Sequence, residues 1–267
     1  MTADPKYLYR NEMCDEMLSS LFYGVQNRRG IILIIGEIGS GKTTILNALK
    51  DSLDKNTKVA FIFLTSISFK QMVNLAAVGL GLPLSPRKIT VAETVQRLGE
   101  FAIKQSMSGG NVVLMIDEAQ NLGKSQLENL RMLSNIETRQ TKLIQILLCG
   151  QPKLDYKLKQ PELEQLIQRI SVRKYLKSLS EEDTYRYIAH RLSIAGYKGS
   201  AVFNRNSLKL IWKHSKGVPL KINKICENSL IISYASEKAT IDENITKEAI
   251  RRVDYRSINN NDFDYKY

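Results

Sequence analysis

Residues 31–44 read Ile-Ile-Leu-Ile-Ile-Gly-Glu-Ile-Gly-Ser-Gly-Lys-Thr-Thr, and no other stretch limits the possible folds as much. Five apolar residues, four of them β-branched, predict a strand buried on both faces. A glycine-rich turn follows, and Thr43 to Leu53 has helical periodicity. Gly36 to Thr43 fits G-x-x-x-x-G-K-[ST], the phosphate-binding P-loop. Glycines let successive backbone N–H groups turn inward around phosphate oxygens, and the helix N-terminus behind them adds partial positive charge. The cradle comprises Gly36, Glu37, Ile38, Gly39, Ser40, Gly41, Lys42, Thr43 and Thr44. Lys42 can reach the β- and γ-phosphates, and the Thr43 hydroxyl can ligate Mg²⁺. Chance alone produces such a match in roughly one chain in a hundred of this size, and the flanking strand and helix make coincidence rarer. An ordinary tight turn is the alternative; the pattern predicts a nucleotide site.

A chain of 267 residues with 43% hydrophobic residues can bury one large domain, or a large and a small one. Its longest apolar runs (31–35, 112–116 and 143–149) are too short to cross a bilayer, and residues 1–10 show no signal pattern. Cys14, Cys149 and Cys226 are scattered without a C-x-x-C, which argues against a disulfide framework or a zinc site and for the reducing cytosol. The net charge of +12 admits a polyanion or an anionic surface as partner; a solvated basic surface is the plain alternative.

Along the chain, residues 1–11 read as an ordered arm across the core, and Glu12 to Asn27 as an amphipathic helix. Val59 to Leu64 predicts a second buried strand, and Phe69 to Leu80 a helix that the segment 81–87 breaks. A helix from Thr90 to Met107 leads to a third buried strand, Val112 to Ile116, ending in Asp117-Glu118. Ser125 to Ile136 is helical, Lys142 to Cys149 is a fourth strand, and Ser171 to Tyr175 a short fifth. This alternation implies a parallel sheet covered on both faces, with ligands at the carboxyl ends of its strands. Helices are then expected at 180–195, 204–215, 219–236 and 246–255. The expected division is an α/β core over 1–176, an all-helical domain over 177–256 and a frayed tail over 257–267.

Asp117 can hold Mg²⁺ through water as the Walker-B aspartate does, and Glu118 beside it suits a base that orients the attacking water. The alternative is a pair of charges that merely cap a strand. The strand at 58–64 lies between the P-loop strand and the Asp-Glu strand, matching the P-loop division with an extra central strand and a catalytic glutamate. Gln151 either donates to the γ-phosphate or the attacking water, or is a turn residue before Pro152. Arg169 and Arg173 flank the fifth strand, as fingers for a neighbouring subunit's nucleotide or as solvated arginines. His190 and His214 have no acidic or cysteine residue at ligand spacing and read as ordinary helix residues, and Trp212 reads as core. Lys209, Lys213, Lys216, Lys221 and Lys224 make the helical domain basic, as a docking face or a solvated one.

These residues together resemble the AAA+ ATPases of the ExeA type, also called general secretion pathway protein A. The resemblance rests on Thr2 to Tyr9, Gly36 to Thr44, Ile116-Asp117-Glu118-Ala119-Gln120-Asn121-Leu122, Gly150-Gln151-Pro152-Lys153-Leu154, Gln168-Arg169-Ile170, and Gly217-Val218-Pro219 through Asn223. It implies an AAA+ core with a helical lid, Mg-ATP hydrolysis at a subunit interface, and assembly as a homo-oligomer. By the same resemblance Gln151 is sensor 1 and Arg169 the arginine finger. Related ATPases serve type II secretion, pilus biogenesis or DNA transposition, and the last would use the basic charge on DNA. Two departures stand out. Leu220 occupies the place of the sensor 2 arginine, with Lys221 next to it as a point charge rather than a rigid fork. Secretion members often continue into a membrane span and a peptidoglycan-binding module, so service to an envelope machine implies docking onto a separate protein.

Overall fold

The apolar run at 31–35 becomes an inner strand of a five-stranded parallel sheet. The computed structural model describes residues 4–63, 65–83, 89–199 and 201–259, with side chains to 254. Its strands are β1 (Ile31–Gly36), β2 (Thr57–Ile62), β3 (Asn111–Ile116), β4 (Ile144–Gly150) and β5 (Ile170–Leu176), paired in the order β2-β3-β4-β1-β5. Thr2 and Ala3 of the N-terminal motif, Leu64, most of the breaker at 84–87 and the tail from 260 lie outside the described residues.

This order corrects one expectation. The strand between the P-loop strand and the Asp-Glu strand is β4, which pairs with both, whereas β2 pairs only with β3. It is therefore an edge strand and not the second buried strand that Val59 to Leu64 suggested. Its burial is partial, Lys58 is exposed along it, and it ends at Ile62. Phe63 lies beyond the pairing, exposed and stacked on Phe61 with ring centroids 4.3 Å apart. A charged residue on an edge strand opposes pairing with other chains.

Alternation along β1 builds two cores. Ile31, Leu33 and Ile35 face one side, Ile32 and Ile34 the other. On the second side pack Met17, Leu21 and Val25 of α1 (Glu12–Gln26) and Ile45, Leu46 and Leu49 of α2 (Lys42–Ser52). On the first lie α3 (Phe69–Gly79), α4 (Val91–Met107), α5 (Lys124–Leu133) and α6 (Pro152–Leu158), through residues such as Met72, Leu98, Leu130 and Leu158. Capping boxes start α3 (Ser68 with Gln71) and α4 (Thr90 with Glu93), where the local sequence places an acceptor three residues apart from its reciprocal partner. The N-terminal arm holds a one-turn helix, Pro5–Tyr7, capped by Asp4, and Leu8 packs on the α1–α2 side. The helix α5 stops at Leu133, short of the expected 136, and α6 and α7 (Glu164–Ile167) fill a stretch for which no element was expected.

The chain divides into two compact units, residues 1–37 with 42–176 and residues 38–41 with 177–267. The second consists of α8 (Glu181–Ile194), α9 (Arg205–Ser215), α10 (Pro219–Ala235) and α11 (Glu243–Asn259) around Ile188, Ile211, Ile222, Ile225 and Ala249. Tyr187 Oη and the Asn223 side chain bond each other between α8 and α10. The last helix begins three residues before the expected 246 and runs through 259, so its final residues are helix where a frayed tail was expected from 257.

Candidate nucleotide site

Three strand ends converge on the site: β1, β3 and β4 all stop at the same edge of the sheet. Past β1, Gly39 (φ +76°) and Gly41 (φ +100°) adopt conformations that side chains oppose, and a Cβ on Gly41 would meet nothing within 4 Å. Lys42 begins α2 and is 5% exposed. Its Nζ donates to Gly36 O and Glu37 O, each at 3.0 Å. It forms no ion pair among the described residues, so an ammonium group is buried with carbonyl dipoles alone and favours an anionic ligand.

Asp117, the first residue past β3, is 4% exposed and uses both carboxylate oxygens. Thr43 Oγ1 donates to Oδ2 at 2.6 Å, and the Glu118 backbone N–H donates to Oδ1 at 2.9 Å. Glu118 itself is left-handed, with φ 52° and ψ 36°. That geometry costs a non-glycine residue about 1–2 kcal/mol and swings Glu118 out of the strand's alternation. Its Oε2 accepts from Gln151 Nε2 at 3.1 Å and from Gln120 Nε2. Gln151, first past β4, also donates its backbone N–H to Gln120 Oε1 at 3.1 Å. Thr65 Oγ1 donates to Glu118 O at 3.1 Å.

Cys149, on β4, is fully buried, and burial first and the Asp117 carboxylate second push its thiol well above the ordinary range.

Lys42, Thr43, Asp117, Glu118 and Gln151 are thus brought together, and Arg169 is not. Ile170 pairs with Ile31 and Leu176 with Gly36, so Arg169 stands at the opposite edge of the sheet, exposed, roughly 20 Å away at strand rise. Arg173 is held at home by Asp155, 3.9 Å away. Gln120, Thr65 and Lys157 were not singled out as site groups by sequence. Only Gln120 carried a signal, its place two residues after Glu118.

In the helical unit, Leu220 N donates to Gly39 O at 3.1 Å, and a Cβ on Gly39 would fall into the Leu220 side chain. Leu220 therefore packs on the glycine, where an arginine would have to leave that contact to reach outward. Lys221 is exposed.

The donor set suits Mg-nucleotide. Thr43 and Asp117 supply one hydroxyl and one carboxylate, hard oxygens, and Ser40 Oγ is buried in the P-loop without a hydrogen-bond partner among the described residues. No cluster of three or more His, Cys, Asp or Glu side chains that could hold a metal ion exists among the described residues. No helix among the described residues is long and apolar enough to cross a membrane.

The family model for the AAA domain matches residues 25–158. General secretion pathway protein A of Aeromonas hydrophila is 35% identical over 235 residues, covering 88% of this chain and 43% of that protein. The chain thus spans under half the length of that relative. Among solved structures, the Aeropyrum pernix ORC2 protein superposes with a TM-score of 0.67 at 17% identity, over 91% of this chain and 68% of that one. Cdc6p of Pyrobaculum aerophilum gives 0.70 at 15% identity over 91% and 67%. The Thermotoga maritima RuvB branch migration motor gives 0.56 at 15% over 91% and 69%. At such identities these structures speak for the fold alone.

Proposed function

Because the chain belongs to the AAA domain family, with the parallel sheet and helical region of an AAA+ P-loop ATPase, we propose that it binds and hydrolyses Mg-ATP as a homo-oligomer and couples turnover to assembly or remodelling of a partner machine. One observation carries the reading: Thr43, Asp117, Glu118 and Gln151 form one bonded chain at the edge where β1, β3 and β4 end. Lys42 stabilises phosphate charge, and Gly36 to Thr44 wrap the phosphates. Thr43 and Asp117 hold Mg²⁺, Asp117 through water. The ion, when bound, neutralises charge on the phosphoryl oxygens. Glu118 orients the attacking water and accepts its proton, a role worth about 10²–10⁴ in rate. Gln151 senses the γ-phosphate by exchanging its bond to Glu118 for one to the nucleotide.

Arg169 completes the site of a neighbouring subunit, in keeping with its exposed place away from its own chain's site. The partner is a protein of a secretion machine, by likeness to general secretion pathway protein A, or of a related pilus machine, and the chain works in the cytoplasm, a reading that rests on its three unpaired cysteines. Phosphate release should require Mg²⁺ and vanish in Lys42→Ala. Mixing Lys42→Ala with Arg169→Ala should restore part of the activity, each supplying what the other lacks. Failure of rescue, with both variants assembling, would count against a shared site.

A second reading, an ATP-dependent DNA-binding regulator of transposition, is favoured by α9. Arg205, Lys209 and Lys213 recur every four residues along it, Lys216 follows, and all are exposed. The helix has no carboxylate, and these four form no ion pair among the described residues. Contact of all four with phosphates implies a log–log salt slope of roughly −3 to −4. Absence of DNA binding at low salt, with and without ATP, would reject this reading.

A further inference from the structure

Gln120 lies in a one-turn helix, Ala119–Asn121, and is 6% exposed. Both ends of its amide are engaged: Nε2 donates to Glu118 Oε2, and Oε1 accepts the backbone N–H of Gln151 at 3.1 Å. Its carbonyl accepts from Lys157 Nζ at 2.7 Å, and the same ammonium group donates to Leu122 O at 2.5 Å. Lys157 belongs to α6, directly behind Gln151, so the turn after β3 is tied to the segment after β4 at both backbone and side chain. A Cβ on Gly150 would stand 2.9 Å from Gln120 Oε1, which seats the amide against the end of β4.

The two glutamines differ in what anchors them. Gln151 reaches Glu118 with a side chain that can rotate away toward a phosphate. Gln120 is anchored to the backbone of Gln151, so its grip persists when that side chain leaves. Two amides occupy Oε2, while Oε1 accepts no bond among the described residues. Gln120 keeps Oε2 engaged after the Gln151 side chain leaves, so Oε1, which carries no donor among the described residues, is the oxygen left for a proton.

We propose that Gln120 is the positioning residue of the Glu118 base: it fixes the carboxylate through Oε2, presents Oε1 to the attacking water, and ties that direction to the end of β4. This rests on the reading of Glu118 as the base.

Two variants separate the elements. Gln120→Glu keeps the volume and the acceptor for Gln151 N–H but sets an oxygen against Glu118 in place of the donor. Gln120→Leu removes both bonds. Turnover, affinity for a fluorescent ATP analogue, and hydrogen exchange of the segment holding Gln151 in nucleotide-free protein are measured for each. Both variants should lose roughly 10- to 100-fold in kcat, part of what a general base supplies, with analogue affinity held within about twofold. Exchange at Gln151 should accelerate in Gln120→Leu and stay slow in Gln120→Glu. If Gln120→Leu does not fold, Gln120→Glu carries the test alone through its kcat and affinity. Wild-type turnover in Gln120→Glu, or affinity falling in step with kcat, overturns the proposal. When Glu118→Gln is inactive and the Gln120 variants are not, the positioning role alone fails. When Glu118→Gln turns over normally, the reading beneath it fails as well.

Discussion

Substituting Gly150 by alanine tests whether packing at the end of β4 sets the geometry of the site. The added methyl would meet Leu154 Cδ2 at 2.8 Å, Gln120 Oε1 at 2.9 Å and Gln120 N at 3.2 Å. The leucine tip can swing aside at small cost. The Gln120 amide nitrogen is backbone and moves only with the turn that carries Glu118. Gly150 is not among the positive-φ glycines, so conformational strain adds nothing and overpacking is the whole cost. Overpacking of this kind costs about 1–3 kcal/mol. With a urea m-value near 2 kcal/mol/M, the midpoint should fall by roughly 0.5–1.5 M. Far-ultraviolet circular dichroism is the suitable probe, because the single tryptophan, Trp212, lies on α9 in the helical unit. Turnover should fall about tenfold, since a positioned base loses efficiency with displacements well under 1 Å. A midpoint within about 0.2 M of wild type, with unchanged turnover, would show that this corner is slack and refute the argument.

Other perturbations probe the opposite edge and the thiols. Gln145 is fully buried, accepting from Gly30 N at 2.8 Å and donating to Lys142 O at 3.0 Å. Gln145→Leu strands both groups and should cost about 2–4 kcal/mol, lowering Tm by roughly 5–15 °C; an unchanged calorimetric Tm would contradict this. Burial pushes the Cys14 thiol up to about 11 and the Cys226 thiol to about 12, and Cys149 is raised as well. At pH 8 the thiolate fraction at Cys14 is then on the order of 10⁻³. Iodoacetamide should leave the buried Cys14 and Cys149 unmodified in the native protein, label the half-buried Cys226 slowly, and label all three on unfolding, whereas rapid native labelling of Cys14 or Cys149 would contradict this.

Much of this architecture was legible in the sequence, and what was not has identifiable causes. The continuous apolar runs at 31–35 and 112–116 predict strands buried on both faces, and β1 and β3 are inner strands. The run that starts at Val59 is apolar too, but β2 lies at an edge, because strand order depends on where crossovers land and not on the strand itself. Periodicity also failed between 152 and 167, where α6 and α7 have seven and four residues, too few to repeat a pattern. That the P-loop, Asp117 and Glu118 should meet at one end of the sheet was readable, because the chemistry proposed for them dictates residue type and spacing. Gln120 and Thr65 were not, since an amide or hydroxyl that positions another side chain has no composition of its own. Leu220 is explained only by its contact with Gly39, a pairing across about 180 residues that a linear reading does not supply.

The assignment of Glu118 as the base is tested most directly by Glu118→Gln, which keeps the side chain's shape and removes its capacity to take a proton. Nucleotide binding and single-turnover cleavage of bound ATP should be followed in the same sample. The expected result is near wild-type affinity with cleavage slowed by about 10²–10⁴-fold, so that ATP remains intact on the protein. Cleavage at the wild-type rate would contradict the account, because the left-handed turn at Glu118 and its bonds to Gln120 and Gln151 would then serve no chemistry.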